Sequence, residues 1–155
     1  MLGFWGGSGS WSTAPEMEGP DVEPELVTEA SLLDVLAELR QREPIFHRRE
    51  HLSSREDFER QVAADFWEVG ASGRRYSRVF VWSVLSARLA SAEDDEYAGE
   101  GWQATDFQLR RIARDTYLLT YTLRQGDRLT RRLTVWQGSA RAGWKILFHQ
   151  GTVAD

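Results

Sequence analysis

Apolar residues recur at helical spacing in three stretches up to Ala90, and from Trp102 onward they alternate with polar ones. Ser31 followed by Asp34 resembles a capping box. Leu32, Leu36 and Leu39, with Val35 beside them, line one face up to Pro44, which predicts a helix over 31–43. A second pair, Ser54 with Asp57, opens a short helix in which Phe58 and Val62 fall at i and i+4. The run 65–70 reads as a strand closed by the turn Gly70-Ala71-Ser72-Gly73. Ser77 is placed to cap a third helix over 78–90, with Val81, Val84, Leu85 and Arg88 on one side, and an acidic loop follows over 91–101. Beyond it the period of two predicts strands at 103–113, 116–125, 128–138 and 143–153, with Gly126-Asp127 as a tight hairpin turn. Helices first and strands afterwards argue for an α+β fold, three N-terminal helices packed on one face of a curved, mainly antiparallel sheet.

The first 28 residues fit neither period. They are rich in Gly, Ser, Pro and acids, which predicts a disordered leader over 1–28 and a folded domain over 29–155. Phe4, Trp5 and Trp11 are either scattered tail residues or anchors for a partner or for the domain's own pocket. This division changes the meaning of the net charge of −5, because residues 1–30 hold six acids and no Lys or Arg. Of the 24 acids in the chain, 18 then face 19 Lys and Arg in the remainder, so the body is nearly neutral and gives no electrostatic footprint for nucleic acid. The chain has no cysteine, which excludes disulfides, thiol nucleophiles and thiolate metal sites. No apolar run approaches the roughly 20 residues that span a bilayer, and the start lacks the pattern of a secretory signal, so a cytoplasmic protein is the default expectation.

The segment Asp65-Phe66-Trp67-Glu68-Val69-Gly70-Ala71-Ser72-Gly73-Arg74-Arg75-Tyr76-Ser77-Arg78 resembles a bacterial branch of the nuclear transport factor 2-like superfamily, a domain of unknown function related to SnoaL-like proteins. Arg42-Glu43-Pro44-Ile45-Phe46-His47, Tyr117-Leu118-Leu119-Thr120-Tyr121 and Trp144-Lys145-Ile146 to His149-Gln150-Gly151-Thr152 look like the same branch. The resemblance implies a cystatin-like cone, a pocket between helices and concave sheet, and dimerisation through the outer sheet face. It implies no reaction, because the superfamily hosts isomerases, cyclases, hydrolases, dehydratases and inert adaptors. Ketosteroid isomerase-like relatives carry a carboxylate base at the end of the first strand. Gly70 stands at that position here.

Candidate chemistry therefore rests on nearby residues. Glu68 shares a strand face with Gly70 and is a candidate acid or base; its alternative is a surface or ion-paired glutamate. Glu43, His47 and His51 are spaced four apart, as metal ligands on a straight helix would be, but Pro44 breaks that helix, so no metal site is expected and Glu43 and His47 stand as pocket-rim groups. Strict alternation in the last strand puts Trp144, Ile146, Phe148 and Gln150 inward, and Lys145, Leu147, His149 and Gly151 outward. Tyr117, Leu119, Tyr121 and Leu123 share one face, and Trp67, Tyr76, Trp102, Trp136 and Trp144 either converge with them on an aromatic-lined cavity or are ordinary core filling. The expectation is a cavity of roughly 300 Å3 or more that binds a small apolar or aromatic ligand. Glu68 and Tyr121 are its catalytic candidates, and Glu43, His47, Trp67, Tyr76, Trp136, Phe148 and Gln150 its ligand-binding ones. Isomerase-, lyase- or cyclase-like acid/base chemistry would suit such a site. The alternative is a non-catalytic homodimeric interaction module, with Leu118, Leu147 and Val135 on an apolar outer face. No phosphate loop, dinucleotide fingerprint, nucleophile elbow or His-Glu-x-x-His run occurs, and no cofactor is expected.

Overall fold

The computed structural model describes residues 23–91 and 101–154; the aromatics Phe4, Trp5 and Trp11 and most of the acidic loop lie outside the described residues. Helix α1 spans Leu33–Arg42 and is entered through a 3₁₀ turn at Ala30–Leu32. That turn moves the capping position to Leu32, so Ser31 does not cap the helix, and its hydroxyl donates to Glu29 Oε1 at 2.8 Å. Leu32 and Leu39 are buried, with Val35 and Leu36 packed beside them, as the spacing predicts. Glu43 and Pro44 are extended, joined by a cis peptide, and a second 3₁₀ turn follows at Ile45–His47.

Helix α2, Arg55–Gln61, starts where Ser54 Oγ accepts from Asp57 N at 3.1 Å, while the Asp57 carboxylate reaches back to Ser53 N and Oγ. Strand β1, Val62–Val69, begins on the next residue, so Val62 belongs to the sheet and not to the helix. The turn after it is closed by Gly73 N donating to Gly70 O at 2.8 Å, with Gly73 at φ +80°. It leads into β2, Arg75–Ser77, a strand of three residues and too short to show a period. Helix α3, Arg78–Ala90, has the predicted bounds and cap, Ser77 Oγ accepting from Phe80 N at 3.2 Å. The third helix thus follows two strands: all three helices precede the long meander but not the whole sheet.

The meander consists of β3 (Trp102–Ala113), β4 (Thr116–Gln125), β5 (Arg128–Ser139) and β6 (Gly143–Ala154). The six-stranded sheet runs β2-β1-β6-β5-β4-β3. Every pair is antiparallel except β1 with β6, which are parallel. One sheet face carries Tyr117, Leu119, Tyr121, Leu123, Trp136, Trp144 and Ile146, which join Leu39, Phe58, Val81 and Leu85 of the helices in one buried core.

The alternation expected for β6 fails halfway. Val135 pairs with Phe148 but Trp136 pairs with Ile146, so Leu147 is an extra residue with no partner on β5. A one-residue bulge turns every later side chain to the opposite face. Trp144 and Ile146 stay inward as expected; Phe148 and Gln150 go outward, and His149 comes inward, where it is only 5 % exposed.

Part of the expected leader is tied to the domain. β3 is an edge strand whose outer backbone groups need partners. Leu109 N donates to Thr28 Oγ1 at 3.0 Å, and Gln108 Nε2 to Val27 O at 3.2 Å. Val27 and Thr28, at the end of the expected leader, are thus hydrogen-bonded to the edge strand.

Candidate functional site

Two polar centres lie on the inner side of the sheet, and they have different characters. The first is Glu43, only 1 % exposed although it is a carboxylate. Pro44 turns the chain out of α1 directly beneath the strands, and three donors meet the carboxylate there: Ile45 N and Tyr121 Oη at 3.0 Å each on Oε2, and Trp136 Nε1 at 3.0 Å on Oε1. Arg48 donates to the Glu43 carbonyl through Nε and Nη2. Burial first, and the neighbouring Glu43 carboxylate second, hold the Tyr121 phenol well above its ordinary pKa. The phenol ring also stacks on Phe107 at 5.0 Å. Tyr121 is thus a buried donor to the Glu43 carboxylate and does not line the pocket over Glu68. Glu43 and Trp136, both expected at the ligand, are the two other members of this closed knot.

The second centre is at the pocket mouth. Glu68 of β1 and His149 of β6 face each other in register across the parallel pair, and Glu68 Oε2 lies 3.2 Å from His149 Nδ1. Phe46 meets the imidazole edge-on at 6.0 Å. The pair sits in a pocket of about 150 Å3 with Phe46, Tyr76, Phe80, Val81, Val84 and Leu85 as apolar wall, and His47, Arg88 and Arg132 as further polar groups. Tyr76 and Phe80 stack at 4.9 Å and 14°. Gly70 also lines the space, and a Cβ there would come within 2.7 Å of Tyr76 Cε2. The Tyr76 ring therefore occupies the room that a side chain at position 70, the base position of the isomerase-like relatives, would need.

Of the expected ligand-binding residues, His47 and Tyr76 reach this pocket and the others do not. Trp67 is 45 % exposed on the outer face and packs on Phe148 at 4.9 Å. Gln150 lines an outer groove of about 410 Å3 with Thr120, Arg131, Leu133, Thr152 and Leu26. Trp136 fills the centre of the core at 0 % exposure, so the inner space falls short of the 300 Å3 expected for it. A larger polar hollow of about 570 Å3 lies between α2 and the β5–β6 turn, where Asp57 is engaged with Arg60 and Ser53, Arg42 with Glu38 and Gln61, and Glu50 with Arg48. Among the described residues no group of three His, Asp or Glu is arranged to hold a metal. Glu43, His47 and His51 are spread over the knot, the pocket and the polar hollow.

Strict alternation misplaces His149, and no spacing rule picks out Arg132. The apolar run Ile146-Leu147-Phe148 breaks the period of two, but Tyr117-Leu118-Leu119 of β4 does so without a bulge against β5, so the run alone does not locate one.

No helix among the described residues is long and apolar enough to cross a membrane. No protein-family model matches the chain, and no curated protein matches it in sequence. Solved structures do. A nuclear transport factor 2-like protein from Cytophaga hutchinsonii aligns with a TM-score of 0.55 and 16% identity over 79% of this chain and 98% of its own. A Caulobacter vibrioides protein described as having a cystatin-like fold gives 0.56 and 16% over 81% and 91%. A Pectobacterium atrosepticum protein of unknown function, from the family of that status numbered 3225, gives 0.55 and 16% over 86% and 98%. At that identity the likeness speaks for the path of the backbone and not for its chemistry. The chain has the cystatin-like α+β fold of nuclear transport factor 2-like proteins.

Proposed function

We propose that the chain is a small-molecule-binding domain whose ligand sits in the pocket over Glu68 and His149, and that this pair moves a proton on the ligand. The observation that carries the reading is the 3.2 Å contact between Glu68 Oε2 and His149 Nδ1 at the floor of an apolar-walled pocket. A carboxylate that accepts from Nδ1–H fixes the tautomer and leaves Nε2 as the atom that takes or gives a proton. His149 is then the acid/base group and Glu68 its orienting partner, which suits isomerase-, lyase- or cyclase-like chemistry. A volume of about 150 Å3 lies below the usual range of ligand pockets, so the ligand is small.

A fragment screen read by two-dimensional NMR tests the binding reading. Hits that shift Gly70, Tyr76, His149 and Gly151 support it; hits confined to the outer groove around Gln150, or none at all, contradict it. On any substrate so identified, His149→Asn should lower turnover about 10²- to 10⁴-fold.

A second reading has its own observation. Leu118, Val135, Phe148 and Trp67 lie side by side across four strands of the outer face, a continuous apolar row ending in a half-exposed tryptophan. We propose this row as a homodimer surface. Leu147, expected in it, is at the bulge and packs against the core instead.

A further inference from the structure

Arg132 is a cation of the pocket with no part in the proton transfer between His149 and the ligand. Arg132 lies on the inner side of β5, directly between Tyr121 of β4 and Gly151 of β6. Its Nε donates to Thr130 Oγ1 at 2.9 Å. The guanidinium lies over Gly151, where a Cβ would come within 3.2 Å of Nη1 and 3.4 Å of Cζ. Glycine at 151 is thus what lets the group rest against the strand.

Arg132 lines the pocket yet makes no ion pair with any described residue. The two carboxylates that line the same spaces have other hydrogen-bond partners. Glu43, which shares a recess of about 20 Å3 with Arg132, is held by Ile45, Tyr121 and Trp136. Glu68 is held by His149. Other partly buried arginines of the chain behave differently: Arg78 pairs with Glu59 at 2.5 Å and Arg42 with Glu38 at 3.4 Å. A partly buried guanidinium whose fork no carboxylate meets directly leaves hydrogen-bond donors open to an incoming acceptor.

We propose that Arg132 anchors the carboxylate of a small organic acid, with the acid's body against the stacked Tyr76 and Phe80 rings and its reacting atom beside His149. This inference rests on the pocket being the ligand site. A planar guanidinium fork matches a planar carboxylate in two parallel hydrogen bonds. A phosphate fits less well, because its greater charge would meet the Glu68 carboxylate in the same pocket, and no glycine-rich phosphate loop is present. The small volume limits the acid to a short chain or a single ring.

The test titrates the full chain with propionate, benzoate and phenylacetate, each against its primary amide, and follows the amide resonances of Gly70, Arg132, His149 and Gly151. At least one acid is expected to shift these resonances with an affinity about tenfold or more above that of its amide, and Arg132→Gln is expected to abolish that preference. Acids and amides that shift the pocket equally would overturn the anchor while leaving the pocket reading intact. An acid preference that survives Arg132→Gln overturns the assignment to Arg132. Probes that leave all four resonances still overturn both readings. Should Arg132→Gln fail to fold, Arg132→Lys keeps the charge and loses the fork, and an unchanged acid preference in it counts against the proposal; the comparison of acid with amide in the unaltered chain stands independently.

Discussion

Glu43 shows how a residue with the look of a site group can be taken up by the core. A glutamate next to a proline, among aromatic strands, has the composition of a site; what makes it structural is that Tyr121, Trp136 and Ile45 saturate it with donors. No spacing rule predicts that convergence, because the three partners are 2, 78 and 93 residues away in sequence. The consequence is measurable. Tyr121→Phe removes one donor from a buried carboxylate and should lower stability by about 1–3 kcal/mol in a denaturant titration. The same residue sets an alkaline limit. Its folded pKa is raised, so its contribution is fully present below the unfolded value of about 10 and is lost as pH climbs past it toward the folded one. Wild-type protein should therefore lose stability above pH of about 10, and Tyr121→Phe should lose less over the same interval.

Elements were legible where a cap or a turn marked them. Ser77 announces α3 and the Gly126-Asp127 turn announces the β4–β5 hairpin, and both fall where local chemistry places them. β2 was not legible, since three residues carry no period, and the inward turn of His149 depended on a bulge at Leu147 that is fixed by pairing with β5 and not by the strand's own sequence. That bulge decides which side chains share the inner face: it brings His149 to Glu68 and sends Phe148 and Gln150 outside. At the same scale, α2 depends on its first turn. Hydrogen bonds to Asp57 from the Ser53 hydroxyl first, then from Ser54, hold its pKa at about 2. Because the folded value is depressed, the stabilisation is present above the unfolded pKa near 3.9 and is lost as pH falls through about 2. Asp57→Asn should flatten the acid limb of the stability profile between those two values, which thermal melts across that range would detect.

For the whole molecule, the sheet has two faces with different tasks. The inner one was mostly legible, because Tyr117, Leu119, Tyr121 and Leu123 alternate cleanly and β4 pairs without interruption with β5. The outer one offers the row from Leu118 to Trp67, and light scattering at working concentration should report about twice the chain mass of 17.8 kDa, with Trp67→Glu returning the monomer. A 17.8 kDa particle in the unaltered protein would set that surface aside without touching the pocket. The pocket reading itself turns on a single contact, so the most direct measurement is a long-range nitrogen–proton NMR spectrum of the His149 imidazole. If Glu68 orients the ring, the neutral imidazole carries its proton on Nδ1 and the lone pair on Nε2. A neutral His149 with its proton on Nε2 would contradict the account.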